Sequence, residues 1–174
     1  MEKEFPWSAL GNLTIGRPNL GVKTDVAVYR LMQFTMRDIL EDEFGEIRCR
    51  EILRKAGKRA GMAYCANVLD GALQADAFLA NLSSNLIKNG IGIIRIEKSE
   101  LHKFEFVLTV SEDLDCSGLP VSGNTVCDYD EGFLAGIMEK YTGILYEVKE
   151  IDCWATGART CRFEVRQTED ENDG

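Results

Sequence analysis

The stretch CDYDEGFLAGIMEKYTGILYEVKEIDCWATGARTCRFEV, residues 127–165, decides the fold. It reads as an amphipathic helix that ends at Gly143, then two strands, 144–153 and 159–166, joined by a turn. Glycine tolerates the left-handed conformation that commonly closes a helix, so Gly143 marks where the helical period gives way to a strand period. Cys153 ends the first strand, Cys161 starts the second, and Glu150 stands three residues before the first thiol. A disulfide, a metal site and plain core packing all suit two thiols across one hairpin mouth.

Upstream of this unit the pattern is again β-rich, in GIIRIEK (92–98) and KFEFVLTV (103–110). In the second run Phe104, Phe106, Leu108 and Val110 alternate with other residues, as in a strand with one buried face. SELH (99–102) reads as the turn between the two runs, and SGLPVSGN (117–124) as a loop. Further upstream the period is helical. Thr24 is a suitable cap for a helix from Asp25 to about Glu43, in which Val28, Leu31, Met32, Thr35 and Ile39 keep one face. Gly45 breaks it. A second helix follows from Glu46 to about Leu69 and a third from about Gln74 to Lys88, stopped by Asn89-Gly90. Helices, two strands, a helix and two strands predict an α+β fold: an antiparallel sheet of about four strands with helices packed on it. The chain divides into an N-terminal arm (1–23), a single domain (24–167) and an acidic tail (168–174).

Composition narrows the function. The 174 residues suffice for one domain with a real core. A net charge of −9 argues against nucleic acid, whose phosphates reward clustered Lys and Arg. The one basic cluster, RCREILRKAGKR (48–59), spreads around helical turns and reads as a solvated face. No apolar run reaches the roughly 18 residues of a membrane span. The start, MEKEFPWSALGNL, has no basic segment followed by an apolar one, so no signal peptide is expected and a cytoplasmic location is.

Six cysteines in a reducing compartment point to metal binding, redox activity or burial rather than disulfides. Cys127, Glu150, Cys153 and Cys161 together would supply a tetrahedral zinc shell, and Cys127 opens a helix, where the dipole favours a thiolate. Residues three apart in a regular strand face opposite ways, so Glu150 and Cys153 converge only if a bulge or twist lies near Asp152. Without a C-x-x-C knuckle, three buried cysteines and a surface glutamate remain an open alternative, and Cys116 is a rival fourth ligand. A four-ligand site leaves no place for a reacting water, so it would be structural. The apolar residues of the middle, among them Phe78, Leu82, Leu86, Phe104, Phe106, Leu108 and Phe133, are either core or the lining of a pocket. Gly132-x-x-x-Gly136 allows close approach of another backbone, here taken as helix against sheet. Conventional catalysis has little support: the one histidine, His102, falls in or beside the predicted turn, and no dinucleotide fingerprint follows a strand.

The stretch Asp115 to Val165 resembles the 4-vinyl reductase (hydrocarbon-binding) domain family. The resemblance rests on a C-S-G-L-P loop, a cysteine before a G-F-L-A-G helix, an E-x-x-C-W-x-x-G turn and a C-x-F-x-V strand. VAVYRLMQFTMRDIL (26–40) is similar to the family's first long helix. The resemblance implies a fold similar to vesicle-tethering TRAPP subunits and haem-based nitric-oxide sensors, a homodimer, and a small-molecule-binding domain with zinc. It implies Cys127, Glu150, Cys153 and Cys161 as the zinc ligands, as in the phenol-sensing domains of transcriptional activators. The histidine and tryptophan that grip phenol in those sensors would fall near Phe78 and Phe106, which cannot repeat that polar grip. With Phe104 and Phe133 they would line a more apolar pocket. The function expected is a sensor or carrier of an apolar or aromatic ligand. A scaffold or tethering subunit and a tetrapyrrole vinyl-reductase component are the alternatives.

Overall fold

The computed structural model describes residues 4–100 and 104–168. The elements are α1 (Leu13–Gly16), α2 (Val26–Phe44), α3 (Glu46–Val68), α4 (Ala75–Lys88), β1 (Ile93–Glu100), β2 (Glu105–Ser111), α5 (Asp128–Thr142), β3 (Tyr146–Asp152) and β4 (Cys161–Gln167). The four strands form one antiparallel sheet in the order β1-β2-β4-β3, so the α+β expectation holds. Helix boundaries fall within a residue or two of those read from sequence. Gly45, at φ 78°, lets α2 turn directly into α3, and Gly143, at φ 77°, closes α5 in the left-handed form.

Three local differences appear. Ser99 and Glu100 continue β1, paired with Phe106 and Glu105, where the sequence suggests a turn. A bulge between Ile96 and Lys98 lets that longer strand keep its ladder. Residues 101–103, with His102, and residues 169–174 of the acidic tail lie outside the described residues. The segment before α2 holds a 3-10 turn at Trp7–Leu10 and the single helical turn α1, not a hairpin.

Helix α5 is the centre of the fold. Phe133, Leu134, Ile137 and Met138 are buried, and the helix lies between α3 and the strand β3. Gly57 and Gly61 of α3 face the carbonyls of Tyr129 and Phe133, while Gly132 and Gly136 of α5 face those of Arg54 and Lys58. A Cβ on any of these four would lie 2.0–2.1 Å from the facing oxygen. The close approach foreseen at Gly132 and Gly136 is therefore helix against helix, not helix against sheet: two glycine pairs with the same spacing of four interlock reciprocally.

Helix α2 departs from expectation in the opposite sense. The face made by Val28, Leu31, Met32, Thr35, Met36 and Ile39 is turned to solvent. The inward face is polar: Tyr29 donates to Asp115 Oδ1 at 2.9 Å, Arg30 Nε to the Leu114 carbonyl at 2.7 Å, and Arg37 Nη2 to the Val126 carbonyl at 2.8 Å.

Candidate functional site

Alternation along the last hairpin builds the site. In β3 Tyr146, Val148 and Glu150 are buried while Glu147, Lys149 and Ile151 are exposed. In β4 Cys161, Phe163 and Val165 take the buried face. The pairing shifts between Glu150 and Asp152, so a bulge lies where Glu150 and Cys153 need one to turn inward together. Cys153 then caps a 3-10 turn, Trp154–Thr156, with reciprocal bonds to Thr156. Cys127 precedes the first turn of α5, and Cys116 sits in the turn after β2, where Asp113 Oδ1 accepts the backbone N–H groups of Asp115 and Cys116.

These elements converge. The Sγ atoms of Cys116, Cys127, Cys153 and Cys161 all lie within 4.8 Å of one another, and each residue is 0–1% exposed. Cys116 is 2.9 Å from Cys161, and Cys127 is 3.8 and 3.9 Å from Cys161 and Cys153. Of the set read from sequence, the three thiols meet directly and Glu150 lies beside them. Its Oε2 accepts the Cys127 N–H at 3.1 Å, its own N–H donates to Glu131 Oε1 at 2.8 Å, and its Oε1 has no hydrogen-bond partner among the described residues. Burial, then the neighbouring Cys153 sulfur, push the Glu150 carboxyl up to about 8. The hydrogen bond with Cys116 is the first cause that drives the Cys127 thiol up and the Cys153 thiol down. Such a cluster, buried and sulfur-rich with an orphaned carboxylate oxygen at its edge, has the donor chemistry of a zinc or similar soft-metal site.

A charged frame surrounds it. Asp128 and Glu131, both buried in the first turn of α5, are held by Arg37 at 3.0 Å, by Arg54 at 2.7 Å through Asp128, and by a further Arg54–Glu131 pair. Arg50 also reaches Asp128, at 3.7 Å. Arg50 and Arg54 belong to the cluster read from sequence as a solvated face; they turn instead to the helix that carries Cys127. Their sequence signal is the acid run Asp128, Asp130, Glu131 at a helix start, which leaves buried carboxylates in need of partners. Asp113 is pushed up to about 7 by burial and by the charge of Asp115. The hairpin turn is tied to the preceding loop: Ser122 and Gly123 donate to the Ala155 carbonyl at 2.8 and 3.0 Å, and Trp154 Nε1 to the Leu119 carbonyl at 3.1 Å.

The four phenylalanines assigned to a pocket separate into two groups. Phe78 stacks on Tyr141 at 3.7 Å, and Phe104 meets both Tyr141 and Phe106 at 5.4 Å. Phe133 instead packs edge-on against Tyr64 at 5.3 Å. All four are buried, and none of them lines a described cavity. The larger cavity, about 370 Å³, opens between α4 and the strands β1 and β2. Leu79, Ala80, Leu82, Ile94, Ile96 and Leu108 line it, with Asp76 and Ser83 as its polar members.

Residues 106–167 match the 4-vinyl reductase domain family. The match takes in β2, the thiol loop, α5 and the last hairpin, which are the segments that assemble the cluster. Two uncharacterized proteins of Methanocaldococcus jannaschii are similar to parts of the chain. MJ1642 is 37% identical over 59 residues, 34% of this chain and 37% of that protein. MJ0150 is 28% identical over 115 residues, 66% of this chain and 63% of that protein. The match thus spans less than two thirds of either relative. Among solved structures, a vinyl-4-reductase family protein from M. jannaschii superimposes with a TM-score of 0.61 at 17% identity, covering 86% of this chain and 85% of that one. The phenol-responsive sensory domain of the transcription activator PoxR, with phenol, gives 0.63 at 15% identity, covering 87% and 79%. A trafficking protein particle complex subunit 3 from Naegleria fowleri, covalently bound to palmitic acid, gives 0.62 at 12% identity, covering 83% and 95%. These likenesses establish the fold shared by the 4-vinyl reductase domain and the tethering-complex subunit. No helix among the described residues is long and apolar enough to cross a membrane.

Proposed function

We propose that this chain is a small-molecule-binding sensor domain that takes an uncharged, apolar or aromatic ligand and carries a structural zinc. The observation that carries the reading is the cleft of about 370 Å³ between α4 and the sheet, lined almost wholly by aliphatic side chains. Its size falls in the range of small-molecule sites, and its lining offers no cation to hold an anionic ligand. The phenol bound by PoxR and the palmitic acid on the Naegleria subunit support it, since one is aromatic and the other largely hydrocarbon.

Zinc would be held by Cys127, Cys153 and Cys161 with Cys116 as the fourth donor. Glu150 would grip the Cys127 backbone N–H and stand next to the metal rather than on it. A closed four-thiolate site supplies folding energy, not catalysis. It would tie the start of α5 to the turn after β2 and to both strands of the last hairpin. A cytoplasmic location goes with reduced thiols.

The test is thermal unfolding of the full chain with naphthalene, toluene and phenol. A compound that fills the cleft at about a hundred times its dissociation constant stabilises by about 2.7 kcal/mol. No shift with naphthalene or toluene would remove the ligand reading and leave the metal reading to stand alone.

A further inference from the structure

The two faces of α2 are inverted for a helix in a single chain. At about 100° per residue, Val28, Leu31, Met32, Thr35, Met36 and Ile39 share one side and Tyr29, Arg30, Gln33 and Arg37 the other. The apolar side is the exposed one: Val28 59%, Leu31 67%, Met32 57%, Met36 55% and Ile39 61%. The polar side is spent on the loop between β2 and α5, through Asp115, Leu114, Val126 and Asp128. Scattered surface leucines need no explanation, but a continuous apolar seam along three helical turns does.

We propose that this seam pairs two copies of the chain, α2 against α2, antiparallel about a two-fold axis. The order of the residues points to a second copy. The stripe is a palindrome about the point between Gln33 and Phe34: Val28 mirrors Ile39, Leu31 mirrors Met36, and Met32 mirrors Thr35. A two-fold interface requires such self-complementarity, because each residue meets the mirror position of its own chain. An unrelated partner imposes no such symmetry. Size agrees: six side chains at roughly 100 Å² each give about 600 Å² per copy and about 1,200 Å² for the pair, the lower edge of specific interfaces. A membrane surface is the poorer occupant, since the chain carries a net charge of −9 and no cation flanks the seam within 31–39 except the inward Arg37. The pairing is independent of the ligand reading, since no seam residue touches the cleft.

Sedimentation equilibrium of the full chain tests it. The wild type is expected as a dimer. Leu31→Lys, at an exposed position, is expected to keep its circular dichroism and thermal unfolding while weakening association at least about a hundredfold. The double variant Leu31→Lys/Met36→Glu is expected to recover the dimer, because the antiparallel two-fold sets position 31 of one copy against position 36 of the other. A monomeric wild type, or a dimer unchanged by Leu31→Lys, overturns the proposal. A dimer lost in the single variant and not recovered in the double one overturns the antiparallel register.

Discussion

Gly132 lies against Arg54 so closely that a Cβ on the glycine would sit 2.0 Å from the arginine carbonyl oxygen. The contact is backbone on both sides, so no side-chain rotation relieves it. Gly132→Ala is therefore expected to cost about 3 kcal/mol and to lower Tm by roughly 6–12 °C. Gly71→Ala is the control, because nothing lies within 4 Å of its Cβ position. Denaturant unfolding of both variants checks this, and equal stability would refute the interlocked helices.

The thiol cluster predicts a pattern of metal content. Protein purified without added zinc should carry about one zinc per chain by elemental analysis. Cys116→Ser and Cys153→Ser should each lose it together with a large part of the stability. Glu150→Gln should keep it, since an amide oxygen still accepts the Cys127 N–H. The reverse pattern, metal kept without Cys116 and lost without the carboxylate, would put Glu150 on the metal.

Arg37 is 8% exposed and Asp128 3%, so their pair is buried. Removing one partner of such a pair leaves an uncompensated charge. Arg54 still holds the other carboxylate oxygen of Asp128, so Arg37→Leu is expected to cost about 2–3 kcal/mol rather than the full penalty. Arg37→Lys should recover only part of this, because a single ammonium cannot match the guanidinium that meets Val126, Asp128 and Glu41 together. Urea midpoints of the two variants measure the difference.

Ser83 is half-buried on the helix side of the cleft. Ser83→Phe should fill the space between α4 and β1 without touching the thiols. The variant should remain folded and keep its metal, while stabilisation by naphthalene or toluene disappears. Retention of a full ligand shift would place the ligand elsewhere.

Much of the architecture is legible in residue order because local rules decide it. Gly45 and Gly143 end helices whatever surrounds them, and the period of two in KFEFVLTV survives any packing. The bulge at Glu150 and Asp152 is legible for another reason: two polar groups three residues apart share a site only if the strand deforms. What escapes is which neighbour covers a face. The stripe on α2 has the spacing of a core helix, and spacing does not distinguish a sheet from solvent. Arg50 and Arg54 look solvated until the acids of α5, more than seventy residues later, come to meet them. The phenylalanines read as a pocket because apolar residues in a list have no partners; in space Tyr141 stacks on Phe78 and joins it to Phe104, and the open volume falls one helical turn away, at Leu79, Leu82 and Ser83.

Helix α2 has no apolar anchor of comparable strength on its inner side. Its grip there is a row of polar bonds to the loop that carries Cys116 and Cys127. A rod fastened along one edge travels with the strip to which it is fastened. The metal clasp therefore sets the pose in which the outer seam is offered, and a chelator should loosen self-association before the sheet unfolds. In that arrangement the ion is a tensioner: it holds no partner itself, but it keeps taut the mount on which the pairing surface rides.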